Sequence, residues 1–192
     1  MDIALRSRRL VLRQPVASDA ARIARFLNNF AVSGKLARVP YPYGLSDAEW
    51  WLGTWRADRP VAETGFTIDL PGEGLIGHCG MHLTDGEASL GYWLAEPFWN
   101  RGFMTEAVAA VLDWYFGACD ATELRSGVFA FNRASLAVQK KFGFTEIGTG
   151  FLHCLARKED LRHIDTRLTR ARWDDVRIGR VAQLEMAGKD TR

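Results

Sequence analysis

The chain has 192 residues and a net charge of +2, with 47% hydrophobic and 25% charged residues. These are ordinary values for a globular protein, and the length predicts one domain over residues 1–192. The near-neutral charge gives no reason to expect nucleic-acid or membrane binding, and no apolar run reaches the roughly 18 residues that span a bilayer.

Cysteine use and the N-terminus indicate a cytoplasmic protein. The three cysteines, Cys79, Cys119 and Cys154, form no CxxC pair and leave an odd count. That pattern fits a reducing compartment better than a disulfide framework. The first residues contain no long apolar stretch, so they do not resemble a secretory signal peptide.

The N-terminal third predicts a short strand and two helices. Residues Arg9–Arg13 read as a strand that stops near Pro15. Ser18 is predicted to cap a first helix, and Ser46–Glu49 is predicted to be a capping box that opens a second. The buried face of the first helix and the tryptophans of the second are expected at Ala20, Ile23, Ala24, Leu27, Trp50, Trp51 and Trp55.

The next segment changes to a period of two residues, which is typical of strands. Three such stretches, Phe66–Leu70, Cys79–Leu83 and Leu90–Leu94, are separated by turn sequences at Pro71–Gly74 and Thr84–Gly86. We predict an antiparallel meander.

A strand, a glycine turn and a helix then follow one another. Gly102 precedes a helix from about Phe103 to Phe116 that has one apolar face. The start of a helix leaves backbone N–H groups without partners at the positive end of its dipole, and such a site binds phosphate-like anions. The segment therefore predicts a nucleotide or coenzyme site.

The rest of the chain predicts another strand and helix, and then two more strands. A strand over Leu124–Phe131 leads into a helix that Asn132 caps and Gly143 ends. Strands over 144–155 and 163–168 follow, and the polar tail 174–192 is expected to fray. The short helix is predicted to share one face among Ala134, Val138 and Phe142.

Two apparent ligand motifs are rejected. The spacing Gly72-x-Gly74-x-x-Gly77 matches a dinucleotide fingerprint, but that motif needs a helix directly after it, and the sequel alternates like a strand. On such a strand His78 and His82 would lie roughly 13 Å apart, too far to share one metal ion, so we expect surface histidines and no metal.

An aromatic group near the second helix has two readings. Tyr41, Tyr43, Trp50, Trp51 and Trp55 are more typical of core or lid packing. A proline-stiffened aromatic loop between two helices is also able to close over a substrate. Both readings stay open.

Seven short segments follow one another along the chain in a characteristic order: Arg8–Arg13, Pro40–Tyr43, Leu75–Gly77, Gly91–Leu94, Trp99–Ala107, Asn132-x-x-Ser135 and Lys141–Phe144. Together they resemble the GNAT superfamily of acetyl-CoA-dependent N-acetyltransferases, and in particular its RimJ/RimL-type branch of ribosomal-protein N-terminal acetyltransferases. The resemblance covers about residues 6–173.

The resemblance implies an α+β fold. Its sheet is central, mixed, mostly antiparallel and twisted, with about seven strands, a splay between the fourth and fifth strands, and about four flanking helices. Acetyl-CoA is expected in the splay, with its pantetheine arm paired like an added strand and its pyrophosphate on the glycine turn. The implied cofactor-binding residues are Trp93, Leu94, Asn100, Arg101, Gly102, Phe103, Met104, Thr105, Asn132, Ser135 and Lys141.

The chain departs from the superfamily pattern in three places. Trp99 and Met104 occupy positions of the pyrophosphate loop that hold other residues elsewhere, which this branch tolerates. Gln139 replaces a tyrosine that protonates the leaving thiolate in many members, so the resemblance assigns that role to Ser135. The acidic residue expected on the fourth strand is Ser89, with Glu87 two residues earlier on the same face.

These departures bear on the chemistry. The Leu94 N–H is expected to stabilise the oxyanion, and Glu87 is the nearest candidate base. Without a strong base, a protein α-amine, whose pKa lies near 7.7–8.0, is a better acceptor than lysine. The candidate substrate-binding residues are Tyr41, Tyr43, Trp51 and Tyr92.

We therefore predict an N-acetyltransferase that moves acetyl from acetyl-CoA to a primary amine by direct attack in a ternary complex. The acceptor is either a protein N-terminus or a small molecule such as an antibiotic, a polyamine or an amino-acid derivative. A non-catalytic acyl-CoA-binding module is the remaining alternative. The protein is expected to be a monomer or a homodimer, with no metal, nucleic-acid or membrane partner.

Overall fold

The computed structural model describes residues 3–56 and 58–189, with the backbone alone over 180–189. The strands in these ranges are β1 (Ala4–Arg6), β2 (Val11–Arg13), β3 (Gly65–Leu70), β4 (Gly74–Thr84), β5 (Glu87–Leu94), β6 (Glu123–Phe129), β7 (Thr145–Cys154) and β8 (Glu159–Thr169). The helices are α1 (Ala20–Leu27), α2 (Phe30–Ser33), α3 (Leu45–Gly53), α4 (Phe103–Ala118), α5 (Arg133–Lys141) and α6 (Arg170–Lys189).

All eight strands form one sheet in the order β1-β2-β3-β4-β5-β6-β8-β7. Its neighbours are antiparallel except β5 and β6, which run parallel and pair only at Ser89 with Arg125 and at Leu90 with Ser126. Beyond Leu90 the two strands lose their pairing, which leaves a gap in the middle of the sheet. The predicted mixed α+β sheet and its splay are confirmed.

The helices cover both faces of the sheet, and the side chains of each strand alternate between them. On one face, α4 buries Val108 and Leu112 against Phe66 and Leu90 in the main core. On the other face, α1 and α3 form a second cluster, in which Ile23 packs with Leu75 of β4. We call these the α4 face and the α3 face.

A short strap closes the α3 face across the gap. It follows α2 at residues 34–37, and its carbonyl groups bind the turn between β7 and β8. The Leu155 N–H donates to the Ala37 carbonyl at 3.0 Å, and the Arg157 guanidinium donates to the Gly34 carbonyl at 2.7 Å. The strap thus ties the β1–β5 half of the protein to the β6–β8 half.

Three elements were not predicted from the sequence. Strand β1 has only three residues, too few to show an alternation, and α2 has only four. The third is the helix at the end of the chain, where the backbone is helical from Arg170 to Lys189 and Trp173 of α6 is buried against Phe142. Residues 190–192 of the polar tail lie outside the described residues.

The predicted helix starts were displaced, by one residue at α1 and by two at α3. Ser18 does not cap α1, because a 3-10 turn over Ala17–Asp19 precedes that helix, and the Asp19 carboxylate accepts a hydrogen bond from the Val16 N–H at 3.0 Å at the start of this turn. The second capping bond runs from the Gly44 N–H to Asp47 at 2.7 Å, so α3 begins at Leu45. In both places the carboxylate of the aspartate next to the predicted serine accepts the N–H bond, at the turn before α1 and at the start of α3.

The meander prediction is confirmed, and so are the cap of α5 by Asn132 and its end at Gly143. The predicted face of α5 is partly wrong, since Ala134 is exposed and Gln139 is buried instead. No helix within the described ranges is long and apolar enough to cross a membrane.

Candidate active site

The gap between β5 and β6 opens into a cleft of about 1690 Å³ that reaches both faces of the sheet. Its walls come from β5 and β6, its end from the first turn of α4, and its sides from α5 on the α4 face and from the strap on the α3 face. A large cleft therefore lies at the strand divergence.

A row of unpaired backbone N–H groups forms one end of the cleft. None of the N–H groups from Asn100 to Thr105 donates to another group of the described residues. Gly102 has φ +78° and Asn100 has φ +58°, a left-handed backbone that glycine adopts without strain. The turn therefore presents several donors at the positive end of α4, which suits an anion.

An ion pair from the N-terminal segment fixes this turn. The Arg9 guanidinium donates to Glu106 at 2.7 Å and to the Arg101 carbonyl at 3.0 Å. Ser7 also donates to Glu106, at 2.8 Å. Although partial burial opposes it, these bonds lower the pKa of the Glu106 carboxyl below its ordinary value. The Arg9 guanidinium thus fixes the turn through the Arg101 carbonyl, without using the N–H groups of the turn, which stay free.

The backbone of β5 provides one wall. The Ala95 N–H donates to the Ile76 carbonyl of β4 at 2.9 Å, so by antiparallel alternation the N–H of Trp93 also faces β4. The N–H groups of Tyr92 and Leu94 then face the gap. The Leu94 carbonyl already accepts a bond from the Trp99 indole at 2.7 Å. Of the two residues predicted to pair with a pantetheine arm, only Leu94 turns its N–H to the cleft.

A hydroxyl pair lies on the α4 face of the gap. Tyr92 Oη is 2.9 Å from Ser135 Oγ, and either oxygen is able to donate. Asn132 accepts a bond from the Ser135 N–H at 3.3 Å, which fixes the start of α5 beside β5. Burial, more than any other cause, raises the pKa of Tyr92 to about 12, so the phenol keeps its proton at neutral pH.

Tyr92 and Trp51, both predicted to bind substrate, border the cleft from different faces of the sheet. Tyr92 was grouped with Trp51 as substrate-binding, but strand alternation directs Tyr92 to the α4 face and Trp51 lies on the α3 face. Its contact with Ser135 was missed. The alternation of side chains along β5 could have shown it, because Tyr92 must point to the face opposite to that of its neighbours Gly91 and Trp93.

Gln139 is occupied by a buried network. Its amide donates to the Ser126 hydroxyl at 2.9 Å and accepts from the Thr166 hydroxyl at 2.8 Å. Ser126 in turn donates to the Leu90 carbonyl at 2.8 Å, at the last paired residue before the gap. This residue therefore joins β5, β6, β8 and α5, and its side chain also interacts with Tyr92 where it borders the cleft.

Glu87 lies on the wrong side of the strand pairing to act in the gap. It precedes the paired Ser89, whereas the gap opens beyond Leu90. Its carboxylate is 2.9 Å from the Arg125 guanidinium, and both side chains are half exposed. The structure does not bring Glu87 together with the other predicted catalytic residues, Ser135 and Leu94.

The aromatic group divides into packed and exposed members. Tyr43 is buried in the second cluster, whereas Trp50 is 74% exposed and Tyr41 contacts Phe30 at the rim. Trp51 and Trp55 contact the His78 ring at 5.1 and 5.3 Å between centroids. Core packing therefore describes Tyr43, and Trp51 reaches the cleft only along its edge.

His78 is not the surface histidine that was predicted. Its ring is wedged between Trp51 and Trp55, and its Nδ1 is inaccessible and without a hydrogen-bond partner in the described residues. Burial lowers the pKa of His78 to about 3. Within the same residues, no group of three His, Cys, Asp or Glu side chains is placed to hold a metal ion.

The two predicted phosphate-neutralising cations lie at different places. Arg101 is exposed on the turn, with its guanidinium 4.8 Å from the Phe103 ring centroid. Lys141 is exposed at the far end of α5, where it also borders the cleft. Phe103, Met104 and Thr105 begin α4 as predicted, with Phe103 buried.

The profile of the acetyltransferase (GNAT) domain family matches residues 9–145. YoaA of Bacillus subtilis, an uncharacterized N-acetyltransferase, is 26% identical over 150 residues, which cover 75% of this chain and 84% of YoaA. Another such protein, p20 of Bacillus licheniformis, is 30% identical over 77 residues, which cover 38% of this chain and 43% of p20. The match thus spans less than half the length of p20.

Two solved structures share the fold. RimJ of Mycobacterium smegmatis, in complex with CoA-disulfide, has a TM-score of 0.70 at 23% identity over 88% of this chain and 87% of its own. The microcin C7 self-immunity acetyltransferase MccE, in complex with acetyl-CoA and AMP, has a TM-score of 0.72 at 17% identity over 84% of this chain and 93% of its own. At these identities the likeness establishes the architecture.

Proposed function

The chain belongs to the GNAT acetyltransferase family, and from that premise we propose that it transfers acetyl from acetyl-CoA to a primary amine, with a protein N-terminal α-amine as acceptor. The observation that carries the proposal is the strand divergence beyond Leu90. It combines a row of free N–H groups at Asn100–Thr105 with the Tyr92–Ser135 hydroxyl pair on one wall.

The donor is held by backbone groups. The pyrophosphate of acetyl-CoA binds the free N–H groups of the turn, and the pantetheine arm lies along β5, where the Leu94 N–H is its partner. Thr105, Asn132, Arg101 and Lys141 contribute polar and positive groups along this path. The relatives bound to CoA-disulfide and to acetyl-CoA support this choice of donor.

The transfer occurs in a ternary complex by direct attack. The amine nitrogen bonds to the thioester carbon, and the oxyanion is stabilised by an N–H of β5 that faces the gap, at Tyr92 or Leu94. The C–S bond then breaks and Ser135, hydrogen-bonded to Tyr92, gives its proton to the sulfur. The occupied amide of Gln139 supports the choice of Ser135.

The cleft has room for an acceptor beside the donor. Its volume of about 1690 Å³ holds acetyl-CoA and the acceptor together, and the cleft opens on both faces of the sheet. Glu87, the nearest carboxylate on β5, is paired with Arg125, so no carboxylate of that strand is free in the gap. An α-amine, a useful fraction of which is neutral at pH 7, suits such a site better than a lysine amine.

The test is an assay of thiol release from acetyl-CoA with peptides that begin with Ala or Ser and contain one internal lysine. The same peptides with blocked N-termini are the matched controls, and mass spectrometry locates the acetyl group. Acetylation of the free α-amine alone is the expected result. Transfer only to spermidine or aminoglycosides would identify a small-molecule enzyme, and CoA binding without transfer to any amine would indicate a binding module.

A further inference from the structure

Two histidines from opposite halves of the sheet lean toward the gap on the α3 face. Gly91 on β5 and Gly127 on β6 each lie two residues beyond the Ser89–Arg125 pair, so they face each other across the start of the divergence. His82 of β4 lies over Gly91, where an added Cβ would meet its ring at 3.1 Å. His163 of β8 lies over Gly127, where an added Cβ would overlap its imidazole.

The lack of a side chain at position 127 allows His163 to reach across β6. The edge of the ring that carries Cε1 and Nε2 is the part closest to Gly127, so Nε2 is directed over β6 toward the cleft. Phe129 packs against the other side of the ring, with centroids 5.9 Å apart. The side chain of His163 is 17% exposed and borders the cleft.

A carboxylate accompanies this histidine. Asp165, two residues along β8 and on the same face, has Oδ1 3.1 Å from Nδ1 of His163. A carboxylate at Nδ1 favours the tautomer that leaves Nε2 free to take a proton, and it stabilises the imidazolium that results. The pair therefore has the form of an oriented base.

His82 has a different environment. Burial, together with the positive charge of Arg38 in the loop after α2, lowers the pKa of His82 to about 4. The charged group beside His82 is thus a cation that opposes a proton there, whereas the charged group beside His163 is the carboxylate of Asp165.

We propose that His163, oriented by Asp165, is the base that takes the proton from the acceptor amine, a role that rests on the proposed acetyl transfer. As the N–C bond forms, the amine proton passes to Nε2 of His163. When the C–S bond breaks, its electron pair leaves on sulfur, which takes the proton of Ser135. The imidazolium then releases its proton to solvent, and Ser135 regains one.

The placement of acid and base on opposite faces supports this role. Tyr92 follows Gly91 directly, so the Tyr92–Ser135 pair lies at the level of His163 but on the α4 face. The donor sulfur lies toward the α4 face and the acceptor enters from the α3 face. Each group thus meets the atom whose proton it handles.

The experiment compares His163→Gln and Asp165→Asn with the matched control His153→Gln. His153 also pairs with an aspartate, Asp160, at 2.7 Å, but at the solvent-exposed end of the β7–β8 hairpin. We expect His163→Gln to lower kcat/KM for the best peptide on the order of 10²-fold, with Asp165→Asn intermediate and the affinity for acetyl-CoA unchanged. His153→Gln is expected to match the wild type.

Two further readouts separate a base from a structural residue. Added imidazole is expected to restore turnover to His163→Gly, since a free base then occupies the vacated space above Gly127. Hydrolysis of acetyl-CoA without an amine, in which water takes the acceptor position, is expected to fall in His163→Gln as well. This second readout does not depend on the identity of the acceptor.

Normal turnover by a folded His163→Gln protein overturns the assignment, as does a loss that only His82→Gln produces. A wild-type protein that transfers acetyl to no amine refutes the proposed function instead, and the hydrolysis readout still judges His163.

Discussion

At the scale of single residues, the chemistry depends on which hydroxyl of the Tyr92–Ser135 pair delivers the proton. The two oxygens are 2.9 Å apart, and Tyr92 is held in its protonated form by burial. Ser135 is half-buried and lies at the start of α5, where the leaving sulfur would pass.

We expect Ser135→Ala to lower kcat on the order of 10²-fold without changing the dissociation constant of acetyl-CoA. Tyr92→Phe removes one hydrogen bond and is expected to lower kcat about fivefold, because a bond of this kind contributes ~1 kcal/mol. Steady-state kinetics and calorimetric titration with CoA provide the measurements. If Tyr92→Phe is the more damaging change, the tyrosine is the proton donor.

Gln139 is a structural residue, because its amide binds the hydroxyls of Ser126 and Thr166. Replacement by Leu leaves the hydroxyls of Ser126 and Thr166 without their shared partner in a buried site. We expect a loss of ~1–3 kcal/mol in the free energy of unfolding, measured by urea denaturation. Since the Tyr92–Ser135 pair is retained, the kcat of the folded variant is expected to stay within a few-fold of wild type, and a large fall in kcat would contradict this view.

At the scale of secondary-structure elements, the turn before α4 carries the donor site. Its left-handed Gly102 directs the free N–H groups to one side, and the ion pair between Arg9 and Glu106 holds it from the other. A change in this backbone therefore affects both stability and cofactor affinity.

Gly102→Ala forces a side chain into a backbone with φ +78° and is expected to cost ~1 kcal/mol of stability. The affinity for CoA is expected to fall at least tenfold, because the N–H groups move. Gly86→Ala is the matched control, since Gly86 has φ +79° with open space around it, in the β4–β5 turn. Equal losses of CoA affinity in the two variants would show that general destabilisation is the cause.

The elements that the sequence predicts best are those with strong local signals. The meander, the long helix α4 and the Asn132 cap of α5 were all predicted from periodicity, turns and caps. By contrast, the position of Glu87 outside the gap depends on the point at which β5 and β6 part. That point is set by β6, some 35 residues away along the chain, and local patterns do not contain it.

The same distinction applies to the cleft. The glycine turn before α4 is formed by consecutive residues, so it could be predicted from the sequence. The approach of His163 to Gly127, the contact of Tyr92 with Ser135 and the strap across the gap all join distant segments. They follow from strand order and register, which only the folded protein reveals.

At the scale of the whole molecule, buried imidazoles make stability depend on pH. The pKa of His78 falls to about 3 in the folded protein and that of His82 to about 4, against an ordinary value near 6.5. Between these values the unfolded chain binds protons that the folded protein does not. The stability that the two neutral histidines contribute is therefore fully present above about pH 6.5, and it is lost as the pH falls below that value.

We expect the free energy of unfolding to fall by up to about 1.4 kcal/mol per pH unit for each histidine as the pH falls from 6.5 to 4.5. His78→Phe keeps an aromatic ring between the two tryptophans and removes one proton site, so the slope is expected to halve. Urea denaturation across this range tests it. An unchanged slope in the variant would show that His78 does not contribute.

The strap between α2 and the β7–β8 turn has a mechanical consequence. Without a further contact, the two halves of a sheet that is divided along its middle could move relative to each other about the last paired residues of β5 and β6. The hydrogen bonds from residues 34–37 to Leu155 and Arg157 join the two halves on the α3 face and oppose this movement. The width of the divide is thus set before any ligand arrives, and the entrance on that face is a fixed window.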